Sequence, residues 1–306
     1  MSFKNKRMTR AVIMIAIICL SISSLAFAAE PDQGANVGKM DKLTALSDEF
    51  NDPSTLSNWI RHDQAEGWPS QFETLDVNQS RPGSLTLIPY TATWYGDYRG
   101  VYLFKEVSGD FVVTTRLKVT GKQSNIPTGS FELAGLLVRA AKNITPETWE
   151  PKQENWFYLN YGTPSNPKGM ILDSKTNRNS QFTWEETPVR DGWIQLKVAR
   201  VGTAYFQFFK YDDQETWTLL RRLDRPDLPE TLQVGVNAHG NTKKSFGMPA
   251  FEFNSSVFNG PGEQADIIAE YDYVRFQRPF APEPIKEKIV NGTATEQQVV
   301  HFLAEK

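Results

Sequence analysis

The sequence contains a single cysteine, Cys19. It lies in an amino-terminal segment with the features of a secretory signal peptide, so we expect the mature chain to contain no cysteine. That absence excludes disulfides, catalytic thiols and cysteine-ligated metals. A secreted chain without disulfides must be stabilised by its hydrophobic core. The remaining length is sufficient for one large domain or two small ones.

The signal peptide is predicted over residues 1–28. A basic stretch, MSFKNKRMTR, precedes the apolar run AVIMIAIICLSISSL, and Ala26-Phe27-Ala28 fits a cleavage site between small residues. The alternative is an uncleaved membrane anchor, but the apolar run is short for a span of about 20 residues. The sequence therefore predicts a secreted, periplasmic or extracellular protein with no stable membrane insertion after cleavage.

Basic residues are also in deficit. Without the signal peptide the chain keeps 29 of its 33 basic residues against 36 acidic ones, which gives a net charge of −7. Nucleic acids and anionic membranes bind through positive charge that displaces counterions. Neither class of partner is expected for an acidic chain.

Catalytic motifs are missing as well. There is no Gly-x-Ser-x-Gly elbow, and the three histidines, His62, His239 and His301, have no metal-binding spacing. The Glu-x-Asp-x-x-Glu pattern, which places two glutamates on one strand face for retaining glycoside hydrolysis, is absent too. Adjacent acidic residues point to opposite faces of a strand and form no pair. Carboxylates from separate strands remain the alternative, with Glu106 and Glu132 as the candidates.

What is present is a series of short β-strand patterns. Residues 29–45 are small and polar and predict a flexible leader, and strands then recur from residue 46 to about residue 278. In FVVTTRLKVT, Phe111, Val113, Leu117 and Val119 share one face, as in a sheet with one buried side. Further strands are predicted in SLTLI, ELAGLLVRA, NWFYLNYG, GWIQLKVARV, TAYFQFFKY, TWTLLRRL, TLQVGVNAH and EYDYVRF. This pattern of recurring short strands is typical of an all-β sandwich.

The last segment, 279–306, has a different composition. The proline-rich PFAPEP ends the strand pattern, and IKEKIV and ATEQQVVHFLAEK then predict two short helices. Val299, Val300 and Leu303 form an apolar stripe, so we expect this tail to pack on the sandwich.

Three stretches together resemble the concanavalin A-like lectin/glucanase superfamily. LSDEFNDPSTLSNW (46–59) is similar to its first strand and EYDYVRF (270–276) to its closing strand. The segments YLFKEVSGDFVVTTRLKVTG, AGLLVR and ENWFYLNYG resemble the branch that contains DUF1349 and the C-terminal domain of β-xylosidases. The resemblance covers roughly residues 46–278. It implies a two-sheet antiparallel jelly-roll sandwich that binds sugar on its concave face. It also implies a structural calcium, with Asp272 of the closing strand as a ligand.

Aromatic rings that stack on a sugar, next to amides, arginine and carboxylates that bind its hydroxyls, are the groups that such a site needs. TATWYGDYRG is too polar for a core strand and too aromatic for an ordinary loop. The predicted ligand-binding residues are Trp94, Tyr95, Tyr98, Arg99, Glu106, Arg139, Trp156, Tyr158, Asn160, Asn237 and His239.

These observations predict an exported, non-catalytic protein that binds a carbohydrate or glycan. Two alternatives stay open. One is a glycoside hydrolase or another polysaccharide-active enzyme, and the other is a cell-surface module that binds protein. Aromatic residues of sandwiches are more often core than ligand platforms, so each candidate also has a structural interpretation.

Overall fold

A computed structural model describes residues 42–305. The predicted signal peptide and most of the predicted leader lie outside the described residues. The strands are β1 Ile60–Arg61, β2 Phe72–Val77, β3 Leu85–Pro89, β4 Val101–Ser108, β5 Phe111–Thr120, β6 Leu133–Arg139, β7 Trp156–Gly162, β8 Met170–Arg178, β9 Gln181–Val189, β10 Trp193–Val201, β11 Ala204–Tyr211, β12 Thr218–Asp224, β13 Thr231–His239 and β14 Ile268–Gln277. The α-helices are α1 His62–Glu66, α2 Ala250–Ser255, α3 Glu283–Val290 and α4 Glu296–Leu303.

The strands of residues 42–305 form two antiparallel sheets of seven strands each. Sheet I has the order β12-β11-β10-β5-β14-β3-β2, and sheet II has the order β1-β4-β13-β6-β7-β8-β9. Six of the twelve neighbouring strand pairs join strands that are not consecutive in sequence, as in a jelly roll, and the predicted all-β sandwich is confirmed.

The core lies between the two sheets because each strand turns alternate apolar residues inwards. In β5 these are Phe111, Val113, Leu117 and Val119, as predicted, and all four are buried. They meet the inward residues of sheet II, among them Leu136 of β6. Sheet II is therefore apolar on its inner face.

The segment 46–59 differs from the predicted first strand. Asp48 makes a single antiparallel bridge to Val274 of β14, so the chain does enter beside the closing strand. The rest turns into a short 3₁₀ helix, Pro53–Asn58. Asp52 caps that helix, since its side chain accepts a hydrogen bond from the Ser54 amide at 2.9 Å. Proline then follows at the first helical position, where its missing amide hydrogen is not needed.

The two predicted helices of the tail are confirmed as α3 and α4. Thr295 and Gln298 form a reciprocal capping box that begins α4. Val299 and Leu303 are buried against Phe206 and Phe208 on the outer face of sheet I. The tail therefore covers sheet I and leaves sheet II uncovered by it. Within residues 42–305, no helix has the length and apolar character needed to cross a membrane.

Candidate functional site

The outer face of sheet II carries polar and aromatic side chains in three rows that cross neighbouring strands. Each row follows the register of the sheet from β13 through β6, β7 and β8 to β9. The rows are Asn237-Gly135-Asn160-Asp173-Glu186, then Gly235-Leu137-Tyr158-Lys175-Trp184, and finally Gln233-Arg139-Trp156-Asn177-Phe182. Neighbours in one row lie on the same face of the sheet.

A second apolar cluster covers the middle of this face. Trp94, from the loop before β4, lies edge-on to Trp156 at 5.7 Å and to Tyr102 at 6.1 Å between ring centroids. Trp156 stacks on Tyr158 at 5.5 Å. These rings are fully buried. The predicted residues Trp94, Trp156 and Tyr158 are thus brought together, but Trp94 covers the other two rings.

Three other predicted residues form a buried amide network beside this cluster. Asn160 and Asn237 exchange two hydrogen bonds, of 3.0 and 2.8 Å. The Asn160 amide also donates to Nε2 of His239 at 3.3 Å, which places the imidazole proton on Nδ1. Burial lowers the pKa of His239 well below its ordinary value, so the ring is neutral.

Next to this network, β8 supplies an aspartate and a lysine. Tyr158 donates its hydroxyl to Oδ2 of Asp173 at 3.0 Å, and Lys175 Nζ lies 3.6 Å from the same oxygen. The ammonium also lies 5.2 Å from the ring centre of Tyr158 and 5.8 Å from that of Phe182. Burial raises the pKa of Asp173 and lowers that of Lys175, because each charge is removed from water.

Several buried polar atoms of this face have no hydrogen-bond partner among the described residues. They are Asp173 Oδ1, His239 Nδ1, Asn177 Oδ1, Trp94 Nε1 and Trp156 Nε1. Buried polar groups are normally hydrogen-bonded, and an unpaired one costs about 1–3 kcal/mol. The concentration of such atoms on one face indicates that water or a ligand supplies the missing hydrogen bonds.

Towards β9 the face opens into what we call the aromatic rim, formed by Tyr98, Tyr95, Phe182 and Trp184. Successive ring centroids lie 4.4, 5.5 and 5.7 Å apart. Trp184 is 49% exposed and Phe182 is 36% exposed. Tyr95 and Tyr98 are half-buried. The rim is thus a continuous, solvent-accessible aromatic surface.

A tight turn presents the two tyrosines of the rim. Gly96 has a φ of 54°, in the left-handed region that glycine adopts without a steric penalty. The turn lets Tyr95 and Tyr98 pair across it and stack. Their hydroxyls are bound to Ser245 Oγ and to the Met248 carbonyl, both at 2.6 Å.

The base of the same loop is fixed by Arg99, which belongs to a buried ion-pair cluster with Arg139, Glu66 and Glu154. Arg139 lies 2.8 Å from a carboxylate oxygen of each glutamate, and Arg99 lies 2.9 and 2.7 Å from them. His62 Nε2 adds a contact of 3.0 Å to Glu66. All five side chains are buried. The predicted site residues Arg99 and Arg139 therefore have their guanidinium groups engaged within the protein.

Electrostatics hold this cluster in its ionised form. Burial opposes ionisation of Glu154, but the charges of Arg139 and Arg99 outweigh it and lower its pKa to about 2. For Glu66 the same arginines, with His62, overcome burial and lower the pKa. Burial also lowers the pKa of His62, which leaves that ring neutral.

Glu106 and Asp272 lie away from the rim. Glu106 is exposed on β4, which is separated from β9 by four strands of sheet II. Asp272 lies in sheet I, and its carboxylate is 3.1 Å from the guanidinium of Arg116. Among residues 42–305 no group of three or more His, Cys, Asp or Glu side chains could hold a metal ion. The structural calcium with Asp272 as a ligand stays a prediction.

Sequence reasoning missed the open part of this face. Strands β8 and β9 were not predicted, so Asp173, Lys175, Phe182, Trp184 and Glu186 were not considered together. The signal in QFTWEETPV is the alternation of Phe182, Trp184 and Glu186, which places them on one face.

Comparisons with known proteins find distant similarity only. No protein-family model matches the sequence, and no curated protein matches it. Among solved structures, a functionally unknown protein from Saccharomyces cerevisiae has 17% identity and a TM-score of 0.47, and the alignment covers 74% of this chain and 99% of that one.

Two further solved structures are distantly similar to this chain. The GH43 protein BlXynB from Bacillus licheniformis has 15% identity and a TM-score of 0.48 over 76% of this chain, which spans only 39% of that protein. LamAcat from Zobellia galactanivorans has 15% identity and a TM-score of 0.40, over 76% of this chain and 96% of that one. Similarities this distant do not reveal what the present protein binds, so its function must be argued from its own side chains.

Proposed function

We propose that this is an exported, lectin-like protein that binds glycan along the aromatic rim of sheet II without cleaving it. The observation that carries the proposal is the row of four contacting rings, two of them well exposed, beside buried polar atoms that have no partner within residues 42–305. A contiguous exposed aromatic surface on a folded domain often has a binding role.

The rim suits a sugar because a pyranose ring has one apolar face and a periphery of hydroxyls. Trp184 and Phe182 offer flat apolar surface for the ring face. Lys175, Asp173 and Glu186 lie in the same rows and offer donors and acceptors for the hydroxyls. An apolar surface with a few fixed polar groups is the usual composition of a ligand site.

Replacing Trp184 by alanine is expected to weaken glycan binding at least about tenfold, because it removes the largest exposed ring of the rim. Thermal stability should change little, since the side chain lies on an edge strand and is half exposed. Binding is measured on a glycan array and then by titration calorimetry with the best ligand.

The matched control is Phe280→Ala, which removes a 64% exposed ring from the segment after β14. This variant should bind like the wild type. Unchanged binding by Trp184→Ala would show that the rim is not the site. If the wild-type protein binds no glycan on the array, the proposed function itself is wrong.

Glycoside hydrolysis is the second candidate, because Asp173 and Glu186 are directly opposite on β8 and β9 and share a face. A raised pKa, as Asp173 has through burial, suits a general acid, and an exposed carboxylate suits the second role. The test is incubation with mixed plant and algal polysaccharides. New reducing ends that disappear in Glu186→Gln would favour the enzyme over the lectin.

A further inference from the structure

Asp173 and Lys175 form a polar pair next to the rim of sheet II, and the pair has hydrogen-bonding atoms that other side chains do not use. Asp173 is fully buried, with one carboxylate oxygen bound to Tyr158 and the other, Oδ1, without a partner among the described residues. The 3.6 Å separation from Lys175 is longer than a hydrogen bond. The pair thus has both an unused acceptor and N–H groups to offer.

The pair lies beside the rim. Lys175 is directly opposite Trp184 in the register of β8 and β9, and its ammonium lies 5.8 Å from the ring centre of Phe182. Lys175 is 7% exposed, whereas Trp184 is half exposed. A ring stacked on Trp184 would therefore bring its substituents towards the ammonium.

The fixed charges around this position are predominantly negative. Glu186 is opposite Asp173, is exposed, and accepts a hydrogen bond of 3.3 Å from Nε1 of Trp184. Its neighbour Glu185 points to the other face, where it lies 2.9 Å from Arg221. The rim side of β8 and β9 therefore has two carboxylates against the one ammonium of Lys175.

We propose that Asp173 and Lys175 bind hydroxyls of an uncharged sugar stacked on Trp184, and that Asp173 and Glu186 exclude uronic acid sugars. This inference rests on the proposed glycan-binding function and names its ligand class, the neutral glycans.

The chemistry of the two ligand classes supports this choice. A hydroxyl both donates and accepts, so one sugar can satisfy Asp173 Oδ1 and an N–H of Lys175 together. A uronate carboxylate only accepts, and it would bring a third negative charge beside a single ammonium. Specificity of this kind arises from repulsion of the wrong ligand as well as attraction of the right one.

The test uses the full mature chain with short neutral oligosaccharides of xylose or β-linked glucose and with short oligogalacturonates, in low-salt buffer. We expect neutral ligands to bind at least about tenfold more tightly than oligogalacturonates. Added salt should reduce this preference, because it screens the repulsion.

Two variants of β9 that remove the same charge separate the local effect from net charge. Glu186→Gln should raise the affinity for oligogalacturonate at least about threefold and so lower the preference for neutral ligands, because it removes a repelling charge. Glu185→Gln, on the opposite face, should change neither. Asp173→Asn keeps the acceptor for Tyr158 and should lower neutral binding at least about fivefold, because it removes the charged acceptor.

The possible results point to different conclusions. Tighter binding of oligogalacturonate by the wild type would overturn this inference and leave the glycan-binding proposal intact. Equal effects of Glu185→Gln and Glu186→Gln would also overturn it, because the selectivity would then follow net charge. Failure of the wild type to bind either ligand class would overturn this inference, and failure to bind any glycan on the array would remove the proposed function as well.

Discussion

Replacing Arg139 by methionine is expected to lower the free energy of unfolding by about 3–5 kcal/mol. Arg139 is fully buried and lies 2.8 Å from both Glu66 and Glu154. Methionine fills a similar volume but leaves two buried carboxylates with Arg99 as their one remaining arginine partner. The loss therefore comes mainly from buried charge without compensation rather than from lost packing.

The measurement is urea unfolding at neutral pH, with Arg275→Met as the matched control. Arg275 also makes a two-point contact with a glutamate, at 2.7 and 2.8 Å from Glu49, but both side chains are about half exposed. Exposed pairs of this kind contribute about 0–1 kcal/mol. Similar losses in the two variants would contradict the role that we assign to burial.

The same cluster connects stability to the candidate site. Arg99 follows Tyr98 directly, and its amide donates to Asn254 Oδ1 at 3.0 Å, while the Asn254 amide donates to the Asp97 carbonyl at 2.9 Å. The turn that presents the tyrosines of the rim is thus held from both sides. Mutations in the ion-pair cluster should weaken glycan binding through disorder of this turn, even though the cluster itself does not reach the rim.

The fold was predictable because alternation is a strong local signal. In β5, β6 and β13 most of the inward residues are apolar, so a period of two identifies both the strand and its buried face. The helices of the tail were predictable in the same way, because their apolar residues recur at the spacing of a helix. Strand β9 has a weaker signal, the alternation of Phe182 and Trp184, since nearly all its residues are exposed and it lies at the edge of sheet II.

The candidate site could be predicted only in part. Residues that are neighbours in the sequence lie in different environments in the folded chain, and those environments depend on tertiary contacts. Trp94, Tyr95, Tyr98 and Arg99 are close in sequence and were proposed as one binding segment. In the structure Trp94 is in an apolar cluster, the tyrosines are on the rim, and Arg99 is in the ion-pair cluster. The turn at Gly96 changes the direction of the chain and so gives neighbouring residues these different environments.

Stability is also expected to fall as the pH rises from about 4.5 to about 8, because of the buried carboxyl group of Glu132. This side chain is 1% exposed, and burial raises its pKa to about 8. Its oxygens lie between two glycines: a Cβ added to Gly129 or Gly240 would come within 1.8 or 1.7 Å of them. Oε1 accepts a hydrogen bond of 3.1 Å from the Asn241 amide, and Oε2 has no partner among the described residues.

The sign follows from proton binding. Between the ordinary pKa of 4.5 and the folded value of about 8, the folded protein keeps a proton on Glu132 that the unfolded chain loses. The contribution of protonated Glu132 to the free energy of unfolding is complete below pH 4.5, and it is lost as the pH rises through 8. Each unit of this interval changes the free energy of unfolding by up to about 1.4 kcal/mol, so the full effect is roughly 3–5 kcal/mol.

Glu132→Gln replaces the titrating group by a neutral one of the same shape, so it should remove this contribution. The difference in unfolding free energy between variant and wild type, measured by urea denaturation, should be small at pH 5 and should favour the variant at pH 9. The control is Glu106→Gln, which makes the same substitution at an exposed glutamate of sheet II. A pH-independent difference for Glu132→Gln would contradict this prediction. It would mean that the side chain between Gly129 and Gly240 is a carboxylate in the folded protein rather than a protonated carboxylic acid.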